Sequence, residues 1–136
     1  HNSGRRQRQM CIRDRFMYRH VEFILGNKSL KMALAHENVP HVWPEIKKSL
    51  ETPSIYDEII FYLNREGFKL SKQALERDWT QTYKSESSVK DAWLSIYKSA
   101  SSDNVQYKLA ETLISFDEQF SIYRWRHFTL VKKMFF

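Results

Sequence analysis

Val105 to Phe136 contains neither glycine nor proline, so nothing in that stretch interrupts a helix. Leu109, Leu113, Phe116, Phe120, Tyr123, His127, Val131 and Met134 recur within it at steps of three or four. That spacing averages close to the 3.6-residue period and predicts one long amphipathic helix with a buried stripe. The opposite face reads Lys108, Glu111, Ser115, Glu118, Thr129 and Lys133, which suits water. A helix of this length commits the chain to helical packing.

One member of the stripe is not a hydrocarbon. His127 sits in it, beside Arg124, Trp125, Arg126 and Phe128. A single histidine on an apolar face has two readings: a core residue whose ring N–H finds a carbonyl, or a neutral imidazole offered to a metal or a haem iron across a helix interface. His127 has no His, Cys or carboxylate at i±3 or i±4, and the chain has no HxxxH or CxxC. That spacing argues against a multi-residue zinc site on this helix. Haem needs only one protein ligand on one side, so the residues alone leave both readings open.

At 136 residues the chain fits one domain with a real core. It has no run of about twenty apolar residues and no secretory signal, so a soluble, cytoplasmic protein without a membrane partner is expected. The net charge of +6 is concentrated at the front, where residues 1–15 carry five arginines against one aspartate and hold the single cysteine, Cys11. Met10 to Arg15 reads as the translation of ATG-TGT-ATA-AGA-GAC-AG, a sequencing-library adapter. Residues 1–15 are therefore expected to be a non-native leader, and 16–136 the helical part. The rival reading of the leader is a basic arm for nucleic acid, or for a non-enzymatic interaction module. Without it no cysteine remains, and disulfide or thiol chemistry drops out.

In chain order, Phe16–Leu25 reads as a helix with Met17, Val21 and Ile24/Leu25 inward, stopped by Gly26-Asn27. Ser29 caps a short helix through Ala35, and His41–Leu50 forms another, with Pro44 in its first turn. Thr52-Pro53-Ser54 punctuates the chain. Ser54 with Asp57 resembles a capping box for a helix that faces Ile55, Ile59, Ile60 and Leu63 inward and ends at Gly67. Ser71 caps Lys72–Trp79, a polar loop follows over Thr80–Ser88, and Val89–Tyr97 is helical. Ser99–Asn104 is a tight turn, with Asp103 or Asn104 capping the final helix. No period-two alternation, internal repeat, Gly-rich phosphate loop or Ser/His/Asp triad is present. His20, His36 and His41 read as ordinary polar residues, and Trp43, Trp79, Trp93 and Trp125 as core. The chain stops on an apolar helical face without a C-cap, so an internal piece of a longer protein is expected.

Three stretches, in order, resemble the tryptophan 2,3-dioxygenase family. They are Tyr18-Arg19-His20-Val21-Glu22-Phe23-Ile24-Leu25-Gly26-Asn27-Lys28, Thr52-Pro53-Ser54-Ile55-Tyr56-Asp57-Glu58 and Gln119-Phe120-Ser121-Ile122-Tyr123-Arg124-Trp125-Arg126-His127. Arg77-Asp78-Trp79-Thr80 fits between the last two, and the likeness covers roughly residues 17–134. The resemblance implies an all-α helical bundle of the haem dioxygenase type, here incomplete and with a long C-terminal helix. It implies a homotetramer with one haem per subunit, and insertion of both atoms of O2 into the indole ring of L-tryptophan to give N-formyl-L-kynurenine. His127 matches the family's proximal histidine, the axial ligand of haem iron, and Arg124 or Arg126 would meet propionates or nearby carboxylates.

The departures from the family pattern matter as much. Its distal-side histidine with the preceding phenylalanine, its Phe-x-x-Phe-Arg and Ser-Gly-Phe-Gln-Ser segments, and its Gly-Thr-Gly-Gly-Ser loop have no counterpart here. Ser3-Gly4 is not a remnant of them. Tyr123 stands four residues before the histidine, where relatives often carry Trp. The expectation is a chain that keeps the iron ligand, retains no catalytic residue and turns over little substrate alone.

Overall fold

The computed structural model describes residues 16–99 and 104–135. They form seven helices and no strand: α1 (16–24), α2 (Leu30–Leu34), α3 (Trp43–Glu51), α4 (Ile55–Arg65), α5 (Lys72–Leu75), α6 (Ser87–Ser99) and α7 (Val105–Phe135). The expected leader, most of the Ser99–Asn104 turn with Asp103, and Phe136 lie outside the described residues. The chain divides into two compact units, His1–Ala92 and Trp93–Phe136, each described by itself below.

In the first unit the helix starts follow their capping residues. The Ser29 hydroxyl accepts from the Met32 N–H, and the Ser71 hydroxyl from the Ala74 N–H. At α4 the box closes in both directions: the Asp57 N–H donates to Ser54 Oγ (3.3 Å), and the Ser54 N–H donates to Asp57 Oδ2 (2.9 Å). Such a cap contributes about 1 kcal/mol. Pro44 takes the first turn of α3, where no N–H is needed. α1 and α4 end at glycines with positive φ, Gly26 (+85°) and Gly67 (+97°).

The main apolar cluster is Phe23, Ala33, Val42, Ile46 and Leu50, with Phe16, Val39 and Trp43 packed against it. Full burial of Phe23, Ile46 and Leu50 contributes about 1.5–3 kcal/mol each. On α4, Ile59, Ile60 and Leu63 are buried as their spacing predicts, while Ile55 is only half-buried. The inward face of α1 departs from expectation. Phe23 and Leu25 are buried, whereas Met17 and Ile24 are exposed. Buried Glu22, held by Arg19 at 2.6 Å, shares that face, so burial there follows an ion pair as well as hydrophobicity.

α5 is shorter than predicted, ending at Leu75. Beyond it Asp78 accepts from the Thr80 N–H (3.0 Å) and hydroxyl (2.7 Å), forming a turn that competes with helix. α6 begins at Ser87, two residues earlier than predicted, where Glu86 accepts from the Ser88 N–H at 3.0 Å. His36 is buried, His41 exposed, and His20 partly buried with Nδ1 against the Ser49 hydroxyl. Trp43, Trp79 and Trp93 are half-buried, Trp79 edge-on to Phe61 at 6.3 Å.

Candidate functional site

α7 carries the candidate ligand. Asn104 starts it as predicted, its Oδ1 accepting from the N–H groups of Gln106 (2.8 Å) and Tyr107 (3.2 Å). Thirty-one residues without a breaker then run about 46 Å at the standard rise. Its first turns are tied within the second unit. The Tyr97 hydroxyl donates to Glu111 Oε1 at 2.7 Å, and the Tyr97 and Tyr107 rings meet edge to face at 5.0 Å. The hydrogen bond to the Glu111 carboxylate pushes the Tyr97 phenol up to about 12.

The predicted buried stripe is realised only in part. Leu113 is buried; Leu109, Phe120, His127 and Val131 are half-buried; Phe116, Tyr123 and Met134 are exposed. Ile122, Trp125, Phe128, Leu130 and Phe135 are exposed as well, interspersed with Arg124, Arg126, Lys132 and Lys133. Trp125, at 67% exposure, is therefore not the core residue its helical position predicts. Periodicity marks which face of a helix is apolar; it does not supply the surface that covers it.

His127 lies midway along this stretch, half-buried, its ring stacked on Tyr123 with centroids 6.0 Å apart and planes 22° apart. Arg124 and Arg126 flank it and are exposed. Among the described residues no group of three His, Cys, Asp or Glu side chains could hold a bare metal ion. A single imidazole is a donor set that a haem would accept on one side.

The other motif segments converge elsewhere, in the first unit, through contacts between residues far apart in the chain. Asp57, 2% exposed, accepts a fork from Arg77: Nε to Oδ1, and Nη2 to Oδ2 at 3.0 Å. Arg77 Nη1 donates to the Asp78 and Gln81 carbonyls at 3.1 and 3.2 Å, and the guanidinium lies 5.3 Å from the Tyr83 ring centroid. Tyr83 stacks on Tyr56 at 5.0 Å, and its N–H donates to the Gly26 carbonyl at 2.8 Å. Lys28 is buried, its ammonium donating to the carbonyls of Leu50 (3.1 Å) and Thr52.

Burial pushes the Asp57 carboxyl up, but the hydrogen bonds from Arg77 and Ser54 outweigh it and hold the group below the usual carboxylate range. Burial lowers Lys28 and raises Tyr83. Beside these residues is a cleft of about 260 Å³ lined by Arg77, Thr82, Tyr83, Lys84 and Glu86. The guanidinium and the buried carboxylate bind protein partners, so the cluster ties the start of α4 to the turn after α5.

No protein-family model matches the chain. Over 119 residues it is 42% identical to the tryptophan 2,3-dioxygenase of Paraburkholderia phytofirmans and 37% identical to that of Burkholderia ambifaria. Over the same length it is 39% identical to tryptophan 2,3-dioxygenase 1 of Ralstonia nicotianae. Over that span the chain is similar to the tryptophan 2,3-dioxygenases. Each match takes in 88% of this chain and 39–40% of the relative, so the chain spans about two fifths of the length of the curated relatives it matches. The all-α architecture agrees with the expectation for a tryptophan 2,3-dioxygenase. Among the described residues no helix is long and apolar enough to cross a membrane.

Proposed function

We propose that this chain is part of a haem-dependent dioxygenase that opens the indole ring of L-tryptophan with O2 to give N-formyl-L-kynurenine, and that His127 is the axial ligand of its haem. The observation that carries the reading is an imidazole, alone of its kind, in the second half of α7, within a chain up to 42% identical to enzymes of that name. Haem, when bound, supplies the iron chemistry with O2. The chain's own contribution is a nitrogen lone pair carried on a helix, with apolar side chains around it. The exposed guanidinium groups of Arg124 and Arg126 are the cations nearest in sequence to meet the propionates.

The whole enzyme is proposed to be a cytoplasmic homotetramer with one haem per subunit. The 136-residue chain alone is expected to turn over little L-tryptophan, because the family segments that orient substrate are absent from its sequence and orientation is a large part of catalysis. The test is a hemin titration of the chain and of His127→Ala, followed in the Soret band. A histidine-ligated spectrum lost in the variant is expected; identical spectra for the two proteins would refute the assignment of His127.

A further inference from the structure

An imidazole projecting from a helix turns freely about two side-chain bonds unless something fixes its plane. On α7 the side chains point back toward the N-terminus, which brings residue i over residue i−4. The i−4 residue of His127 is Tyr123, and their rings lie 22° from parallel with centroids 6.0 Å apart. This contact lies within a single helix. It therefore forms with α7 itself, whatever else covers that face.

We propose that Tyr123 is a positioning residue for the haem ligand: its ring face sets the plane of the His127 imidazole, so that a ring nitrogen is presented in one orientation before the iron arrives. The inference rests on His127 being the axial ligand. Its physical content is preorganisation. A ligand whose rotamer is already selected loses less conformational entropy when the bond to iron forms. The flat ring supplies the constraint, so phenylalanine should serve as tyrosine does, while alanine should release the imidazole. Alanine also has the highest helix propensity, so a loss on Tyr123→Ala would not come from a broken helix.

The test uses the full chain with Tyr123→Phe, Tyr123→Ala and His127→Ala. Hemin affinity is read from the His127-dependent Soret band, and the imidazole proton shifts of His127 are read by NMR without haem. Tyr123→Phe should keep both readouts, with affinity within about 2-fold. Tyr123→Ala should remove the ring-current shift of the imidazole protons and weaken hemin binding about 3- to 10-fold, the range that an aromatic pair supports. Helix content by circular dichroism should stay unchanged in both.

Unchanged affinity in Tyr123→Ala, with the His127-dependent band intact, would overturn the positioning role alone. Loss in Tyr123→Phe equal to that in Tyr123→Ala would overturn it too, since the hydroxyl would then be the active group. A band that does not depend on His127 in any of these proteins would overturn the ligand assignment and this inference together.

Discussion

The two helix-ending glycines separate a conformational effect from a steric one, because they share a backbone conformation and differ in surroundings. Gly26 has φ +85° and Gly67 φ +97°, so an L side chain at either is strained by about 1–2 kcal/mol. A Cβ built on Gly67 meets nothing within 4 Å, whereas one on Gly26 lies 2.8 Å from Tyr83 Cβ. Carbon atoms in contact rest about 3.5–4.0 Å apart, so that approach is repulsive. Tyr83 is poorly placed to retreat. Its own N–H bonds the Gly26 carbonyl at 2.8 Å, and its ring is stacked on Tyr56 and flanked by Arg77.

Overpacking of this kind adds about 1–3 kcal/mol. Gly67→Ala should therefore destabilise by about 1–2 kcal/mol and Gly26→Ala by about 2–5 kcal/mol. In urea unfolding followed by far-UV circular dichroism, with a slope near 2 kcal/mol per molar, the midpoints should fall by about 0.5–1 M and about 1–2.5 M respectively. Equal shifts, or a larger one for Gly67→Ala, would show that the close approach of the Gly26 turn to Tyr83 does not hold in solution.

Two other groups give independent checks. Asp57→Asn leaves Arg77 without its carboxylate and should destabilise by about 3 kcal/mol at pH 7, read from the same urea midpoints. Because the folded state holds Asp57 below the usual range, its contribution is complete above about pH 4 and is lost as pH falls through the depressed value. The wild-type chain should lose stability more steeply than Asp57→Asn there; parallel pH profiles would exclude the pairing. Tyr97 should ionise near 12 in a phenolate titration at 295 nm, and Glu111→Ala should lower it toward the ordinary phenol value. A raised value in a folding equilibrium means stability falling as pH climbs past 10, and an unchanged titration in the variant would exclude the hydrogen bond.

Local signals account for most of what was legible beforehand. Ser29, Ser54, Ser71 and Asn104 start helices because a short side-chain oxygen meets the orphan N–H groups of the next turn, a matter of three residues. Gly26 and Gly67 end them for an equally local reason. The length of α7 was readable because nothing within it can break a helix. Sequence also singled out His127 on that helix, although its pairing with iron is a proposal that no local pattern can decide.

What only the tertiary structure decided is what crosses between elements. Lys28 would ordinarily be solvated, and it is buried because the carbonyls ending α3 receive its ammonium from 22 and 24 residues away. Arg77, expected within the Lys72–Trp79 helix, lies beyond the end of α5, and its guanidinium pairs with Asp57, 20 residues earlier, a buried carboxylate that already serves as a cap. α7 makes the converse point: its stripe reads as core, yet Phe116, Tyr123 and Met134 of that stripe stand exposed, as does Trp125. Capping and helical period are set by neighbours along the chain, so sequence determines them. Burial and ion pairing depend on which surfaces meet, and that is settled only when distant segments come together.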